Sequence, residues 1–165
     1  MRHLLPAIAL LFASSLSAAP PHVHGEARLE IALEGETLLI HFDSPLDNLL
    51  GFEHFPRTAG ERQAVAALKA QLEAPEKLFD LTPEARCQAL PPEIASPLFA
   101  GRREAAHVDL DADYRWRCTR PDELRAVRTQ LFAEFPRLKR IRLDFAGPRG
   151  QQSDMLTPAR TGFRW

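Results

Sequence analysis

The chain has 165 residues, 45% of them hydrophobic and 26% charged, with 21 Lys and Arg set against 22 Asp and Glu. Those proportions exclude a disordered chain, and the near-zero net charge gives no basis for binding nucleic acid or an anionic membrane surface. Length and turn residues (14 Pro, 8 Gly) predict one domain with many strand ends and substantial β content.

Met1-Arg2-His3 is a short positive head, Leu4 to Phe12 an apolar run, and Ser17-Ala18-Ala19 a small-residue cleavage motif. Residues 1–19 read as a signal peptide of an exported protein, cut after Ala18 or Ala19, with a single domain over 20–165. The apolar run is too short to cross a bilayer, so no membrane span is expected in the mature chain. Pro20-Pro21-His22-Val23-His24-Gly25 then leads into the fold.

Ala27, Leu29, Ile31 and Leu33 alternate with polar or small residues, Glu34-Gly35-Glu36 makes a turn, and Leu38, Ile40 and Phe42 alternate again. This pattern predicts a β-hairpin over 26–43. From Ser44 to Pro56 the chain carries Leu49, Leu50, Phe52 and Phe55 around Gly51, with a proline near each end. That composition predicts a packed, non-repetitive segment that fixes His54 relative to the fold.

Thr58 and Glu61 have the spacing of a capping box, and Val65, Leu68 and Leu72 mark one face of the helix they open. One more helical turn is expected at Lys77 to Asp80, then a strand through Cys87 and an apolar patch at Ile94, Leu98 and Phe99. Gly101 to Ala106 is polar and reads as a hairpin tip. From His107 to Cys118 apolar and charged residues alternate without a break, predicting a strand with Cys118 facing the core.

Pro121 followed by Leu124, Val127, Leu131, Phe132 and Phe135 predicts a second helix that Pro136 stops. Ile141, Leu143 and Phe145 give another strand, with a turn at 147–150 and a weaker partner over 151–157. The expected architecture is α+β, with antiparallel sheets in ββ-α-ββ-α-ββ order and two packed helices. Cys87 and Cys118, an even number in an exported chain and far from C-x-x-C spacing, read as one disulfide, with two buried thiols as the alternative.

No glycine-rich phosphate loop, G-x-S-x-G elbow or H-E-x-x-H is present, so the residues do not ask for an enzyme. Histidine carries the chemistry instead, because neutral imidazole with carboxylates suits Zn²⁺. His22 and His24 sit two apart in an extended segment, His54 has Glu53 beside it, and His107 shares a strand face with Asp109. His41 lies on the solvated side of the hairpin and is the weakest candidate. The ladder Asp109, Asp111, Asp113 lacks the pattern of a calcium loop and reads as a solvated face balanced by arginines.

Taken together, His22-Val23-His24-Gly25-Glu26-Ala27, Ser44-Pro45, Asn48-Leu49-Leu50-Gly51-Phe52-Glu53-His54, Leu78-Phe79, His107 before Tyr114-Arg115-Trp116-Arg117-Cys118, and Leu131-Phe132 with Phe135-Pro136 form a recognisable set. The chain resembles the ZrgA family of periplasmic zinc-uptake proteins of Gram-negative bacteria over nearly its whole mature length. The resemblance implies a periplasmic accessory protein that binds Zn²⁺ and helps supply a zinc importer, with His22, His24, His54 and His107 as metal positions. Glu53 and Asp109 are the candidate carboxylate ligands. Many members carry a long His/Asp/Glu-rich tract before the strand that His107 opens, where this chain has only Gly101-Arg102-Arg103-Glu104-Ala105-Ala106. Capacity for several ions is therefore not expected, and a single site on the folded body is. Two other readings remain: a periplasmic adaptor with structural histidines, favoured by an exposed patch at Ile94, Leu98 and Phe99, and a zinc hydrolase using Glu53 as base.

Overall fold

The computed structural model describes residues 23–100 and 109–165. Strand β1 (Glu26–Glu34) turns through Gly35, at φ +56°, into β2 (Thr37–Pro45), as the alternation predicts. Helices α1 (Leu46–Leu50), α2 (Ala59–Leu72) and α3 (Pro75–Leu78) follow, then strand β3 (Phe79–Leu81). A 3₁₀ turn at Pro83–Ala85 leads to β4 (Cys87–Ala89), β5 (Glu93–Ala95) and α4 (Pro97–Ala100). The chain resumes with β6 (Asp109–Cys118), a 3₁₀ turn at Pro121–Glu123, β7 (Ala126–Thr129) and α5 (Leu131–Glu134). It closes with β8 (Arg140–Gly147), β9 (Gly150–Leu156) and β10 (Gly162–Arg164).

The strands form a seven-stranded sheet in the order β4-β6-β2-β1-β8-β9, with β5 also on β6, and a three-stranded sheet in the order β10-β7-β3. Leu29, Ile31, Leu38, Ile40, Phe42, Leu110, Tyr114, Trp116, Ile141, Leu143 and Phe145 are buried on the inner face of the large sheet. The small sheet packs on that face, with Phe79 edge-on to Tyr114 and Trp116 and Phe163 against Phe145. The α+β class holds.

The ββ-α-ββ-α-ββ order does not. All five residues of the expected second helical stripe are buried, yet Val127 belongs to a strand. Val127 and Thr129 face inward on either side of exposed Arg128, a period of two hidden inside a spacing that also fits a helix. Strands β3 and β10 take up the backbone hydrogen bonds of β7 on both its edges. The Thr129 hydroxyl accepts from Leu131 N–H and donates to Leu78 C=O, ending the strand. Pairing is also not purely antiparallel, because β8 runs parallel to β1. The expected turn at Lys77 to Asp80 is shifted, with α3 ending at Leu78 and Phe79 already in a strand. Segment 44–56 contains a short helix, which Gly51 ends in the left-handed conformation. Ile94, Leu98 and Phe99 are half-buried against the core and do not form an exposed patch.

Cys87 and Cys118 are direct cross-strand partners of β4 and β6 and are joined by a disulfide, with Cα atoms 3.8 Å apart. Cys118 is fully buried, as its place in the alternation predicts. Loop-closure entropy assigns such a crosslink about 3–4 kcal/mol. A Cys87→Ser/Cys118→Ser variant is expected to lose up to that amount in guanidinium unfolding at pH 7.

On the outer face Asp144 accepts from the Ser153 hydroxyl at 2.6 Å and pairs with Arg142 and Arg28 at 3.5 and 3.4 Å. The Ser153 hydrogen bond first, and then the two arginines, hold its carboxyl below the usual carboxylate range despite some desolvation. A depressed folded pKa contributes stability that is present above the unfolded value, near 3.9, and lost as pH falls through the folded one. Asp144→Asn is expected to be less stable than wild type at pH 7, by under about 1 kcal/mol. The difference should shrink toward pH 2–3 when urea midpoints are compared.

Candidate metal centre

The start of β1, the end of β2, the start of β6 and the start of β8 lie at one end of the large sheet. The register shows it: Asp109 pairs with Pro45, Arg28 with Asp43, and Glu26 with Arg140. The segment before β1 therefore meets the segment after β2.

Before β1 the chain makes a tight turn, in which Glu26 N–H donates to Val23 C=O at 3.0 Å. Gly25, third in the turn, has φ +83°, which a β-carbon disfavours. Its carbonyl accepts the N–H groups of Lys139 and Arg140 at 2.8 and 3.0 Å, and its N–H donates to Asn48 Oδ1 at 2.6 Å. The turn is fixed on both sides while His24, its second residue, keeps a side chain 67% exposed.

After β2, Pro45 caps α1, Leu46 and Asn48 point inward, and Asp47 is acidic in the first turn. Gly51 donates its N–H to Asp47 C=O at 2.9 Å with φ +81°, turning the chain toward Glu53. His24 stands between the two acids. Its Nδ1 is 3.7 Å from Asp47 Oδ2 and its Nε2 3.6 Å from Glu53 Oε1.

His54 is held differently. Its ring stacks on Phe52 with centroids 4.9 Å apart, and Nδ1 is 3.0 Å from Phe55 C=O. A carbonyl only accepts, so Nδ1 carries the proton and Nε2 is left as the ring's lone-pair atom, the tautomer a metal would need. The capping box behind it is complete: Thr58 Oγ1 accepts from Glu61 N–H, and Glu61 Oε2 accepts from Thr58 and Arg57 N–H. The Arg57 N–H first, then that of Thr58, holds the Glu61 carboxyl low.

Asp109 opens β6 at this same end of the sheet. His22 and His107 lie outside the described residues, as does the segment Gly101 to Ala106. His41, on the solvated side as expected, faces two carboxylates, with Nδ1 2.9 Å from Asp113 and Nε2 3.8 Å from Asp111. Sequence reasoning did not name Asp47. The hairpin register held the signal, since continuing it past Glu26 and Pro45 sets His24 opposite Asp47.

Two donors on one tetrahedral zinc, with bonds of about 2.0–2.1 Å, stand about 3.3 Å apart. The His24–Glu53 and His24–Asp47 separations are close to that, so each side of the ring offers one nitrogen and one oxygen. Among the described residues no three His, Cys, Asp or Glu side chains are arranged to hold one ion. The chemistry of the donors fits zinc, and the pairs need further donors.

Residues 21–165 match the model of the ZrgA family zinc uptake protein. The chain belongs to the ZrgA family. No match was found among curated proteins. Membership in ZrgA gives the protein a role in zinc uptake, and its disulfide fits an oxidising compartment. No helix among the described residues is long and apolar enough to cross a membrane.

Gly51 holds a left-handed backbone conformation at this end of the sheet. A β-carbon there would lie 2.7–2.8 Å from the Arg137 guanidinium as well as in the left-handed region. Gly51→Ala is expected to cost at least about 1–2 kcal/mol from backbone conformation alone, measured by urea unfolding.

Proposed function

We propose that the protein is a periplasmic zinc-binding accessory factor that takes up one Zn²⁺ per chain as cargo and passes it to a component of a zinc importer. The single observation that carries this reading is the His24 ring set between Asp47 and Glu53. Family membership supplies the metal. His24 and Glu53 form the nucleus of the site, and Asp109, His54 through Nε2, His22 and His107 are the candidates for the remaining donors. Mixed imidazole and carboxylate ligation suits a carrier: it is tight enough to capture the ion, without the closed thiolate shell of structural zinc. No step of bond breaking is assigned to the protein, which acts by binding and release.

Calorimetric zinc titration of the oxidised mature protein tests the reading. One saturable site is expected, weakened at least tenfold in His24→Ala and clearly weakened in Glu53→Gln. An unchanged isotherm in His24→Ala would overturn it. His54→Ala separates a ligand from a packing residue, because loss of zinc affinity with unchanged thermal stability assigns Nε2 to the metal.

A further inference from the structure

Asn48 is 1% exposed and its carboxamide is fully engaged. Oδ1 accepts from Gly25 N–H at 2.6 Å, while Nδ2 donates to Glu26 C=O at 2.7 Å and to Ser44 Oγ at 3.2 Å. Ser44 is itself completely buried and donates to Pro45 C=O at 3.1 Å. One side chain therefore joins the turn that presents His24, the first residue of β1 and the last residues of β2. It does so from α1, immediately after Asp47.

We infer that Asn48 is the positioning residue of the metal centre, a reading that rests on the zinc site proposed above. The turn carrying His24 and the helix carrying Asp47 belong to different elements, and Glu53 follows that helix. The Asn48 side chain bonds the turn's backbone directly to α1. It does not touch the ion. It sets the distance at which an imidazole meets two carboxylates, so that binding does not have to order the His24 turn first.

Only a carboxamide meets all three demands. Ionised Asp, nearly isosteric, keeps the acceptor for Gly25 N–H but has no proton for Glu26 C=O or Ser44 Oγ. Ala and Leu leave the buried Gly25 N–H and Glu26 C=O unpaired. Supporting residues around metal ligands typically change affinity by about 10–100-fold when replaced.

The test compares zinc affinity and apo thermal stability in wild type, Asn48→Ala, Asn48→Asp, His24→Ala and Val127→Ala. Val127, buried in the small sheet, serves as a destabilised control away from the site. The expected result is a Kd raised about 10–100-fold in both Asn48 variants. In Val127→Ala the melting temperature falls while Kd stays at the wild-type value. The ¹⁵N–¹H resonance of Gly25 should also move upfield in Asn48→Ala as its short hydrogen bond is lost. If Asn48→Ala does not fold, the Asn48→Asp Kd decides. Wild-type Kd in the Asn48 variants, with binding lost in His24→Ala, would overturn the positioning role and leave the site standing. Wild-type Kd in His24→Ala would overturn the site, and the positioning role with it.

Discussion

The register of the first hairpin constrains everything that comes after it. Strands β1 and β2 are the two central strands of the large sheet, and a two-residue connection at Gly35 and Glu36 fixes which residues face each other across them. Because the pleat repeats every two residues, a slip by one would bring Arg28, Glu30 and His41 into the core and put Ile31 and Ile40 in water. The same register determines which segments emerge together at the far end. His24 reaches Asp47 for that reason, before any interaction between the two side chains is considered.

Having been brought close, the two segments still need to be tied. Polar groups inside a protein are costly unless fully paired, and the cluster of Asn48, Ser44, Gly25 and Glu26 is paired. The Gly25 carbonyl extends the tie to Lys139 and Arg140, and the Arg137 guanidinium lies against Gly51. The loops at this end of the sheet are thus braced by the start of β8, a strand far away in sequence. In the proposed site a rigid base and an exposed imidazole would be complementary: the first would limit the ordering cost of binding, the second would leave a path for the ion to arrive and depart.

Local patterns were legible in the sequence wherever one period ruled. The hairpin, the capping box at Thr58 and Glu61, the alternation up to Cys118 and the strand at Ile141 all follow from neighbours a few residues apart. The stretch from Leu124 to Phe135 misled because its apolar spacing suits two geometries, and only pairing with β3 and β10 decides between them. His41 was read correctly as solvent-facing, but its carboxylate partners come from β6, across a strand pairing that composition cannot reveal. Half of the centre was similarly accessible. His24 and Glu53 stood out as candidates, whereas Asp47 required the register to be followed past the strand ends. The structural environments of His22 and His107 lie outside the described residues.

The parallel neighbour of β1 bears on how the protein acquires its fold. Glu26 pairs with Arg140, 114 residues downstream, and between them the chain must run through α2, the disulfide-linked β4 and β6, and strands β3 and β7 of the small sheet. Non-local pairing of this kind closes late, because the entropy of the intervening chain is lost before the contact is gained. A chain emerging from its N-terminus can form the first hairpin early, yet one flank of the central strand stays open until Arg140 has emerged. The bracing of the His24 turn by Lys139 and Arg140 waits for the same event. The proposed site is consequently completed late in folding, when the turn before β1 meets the segment before β8.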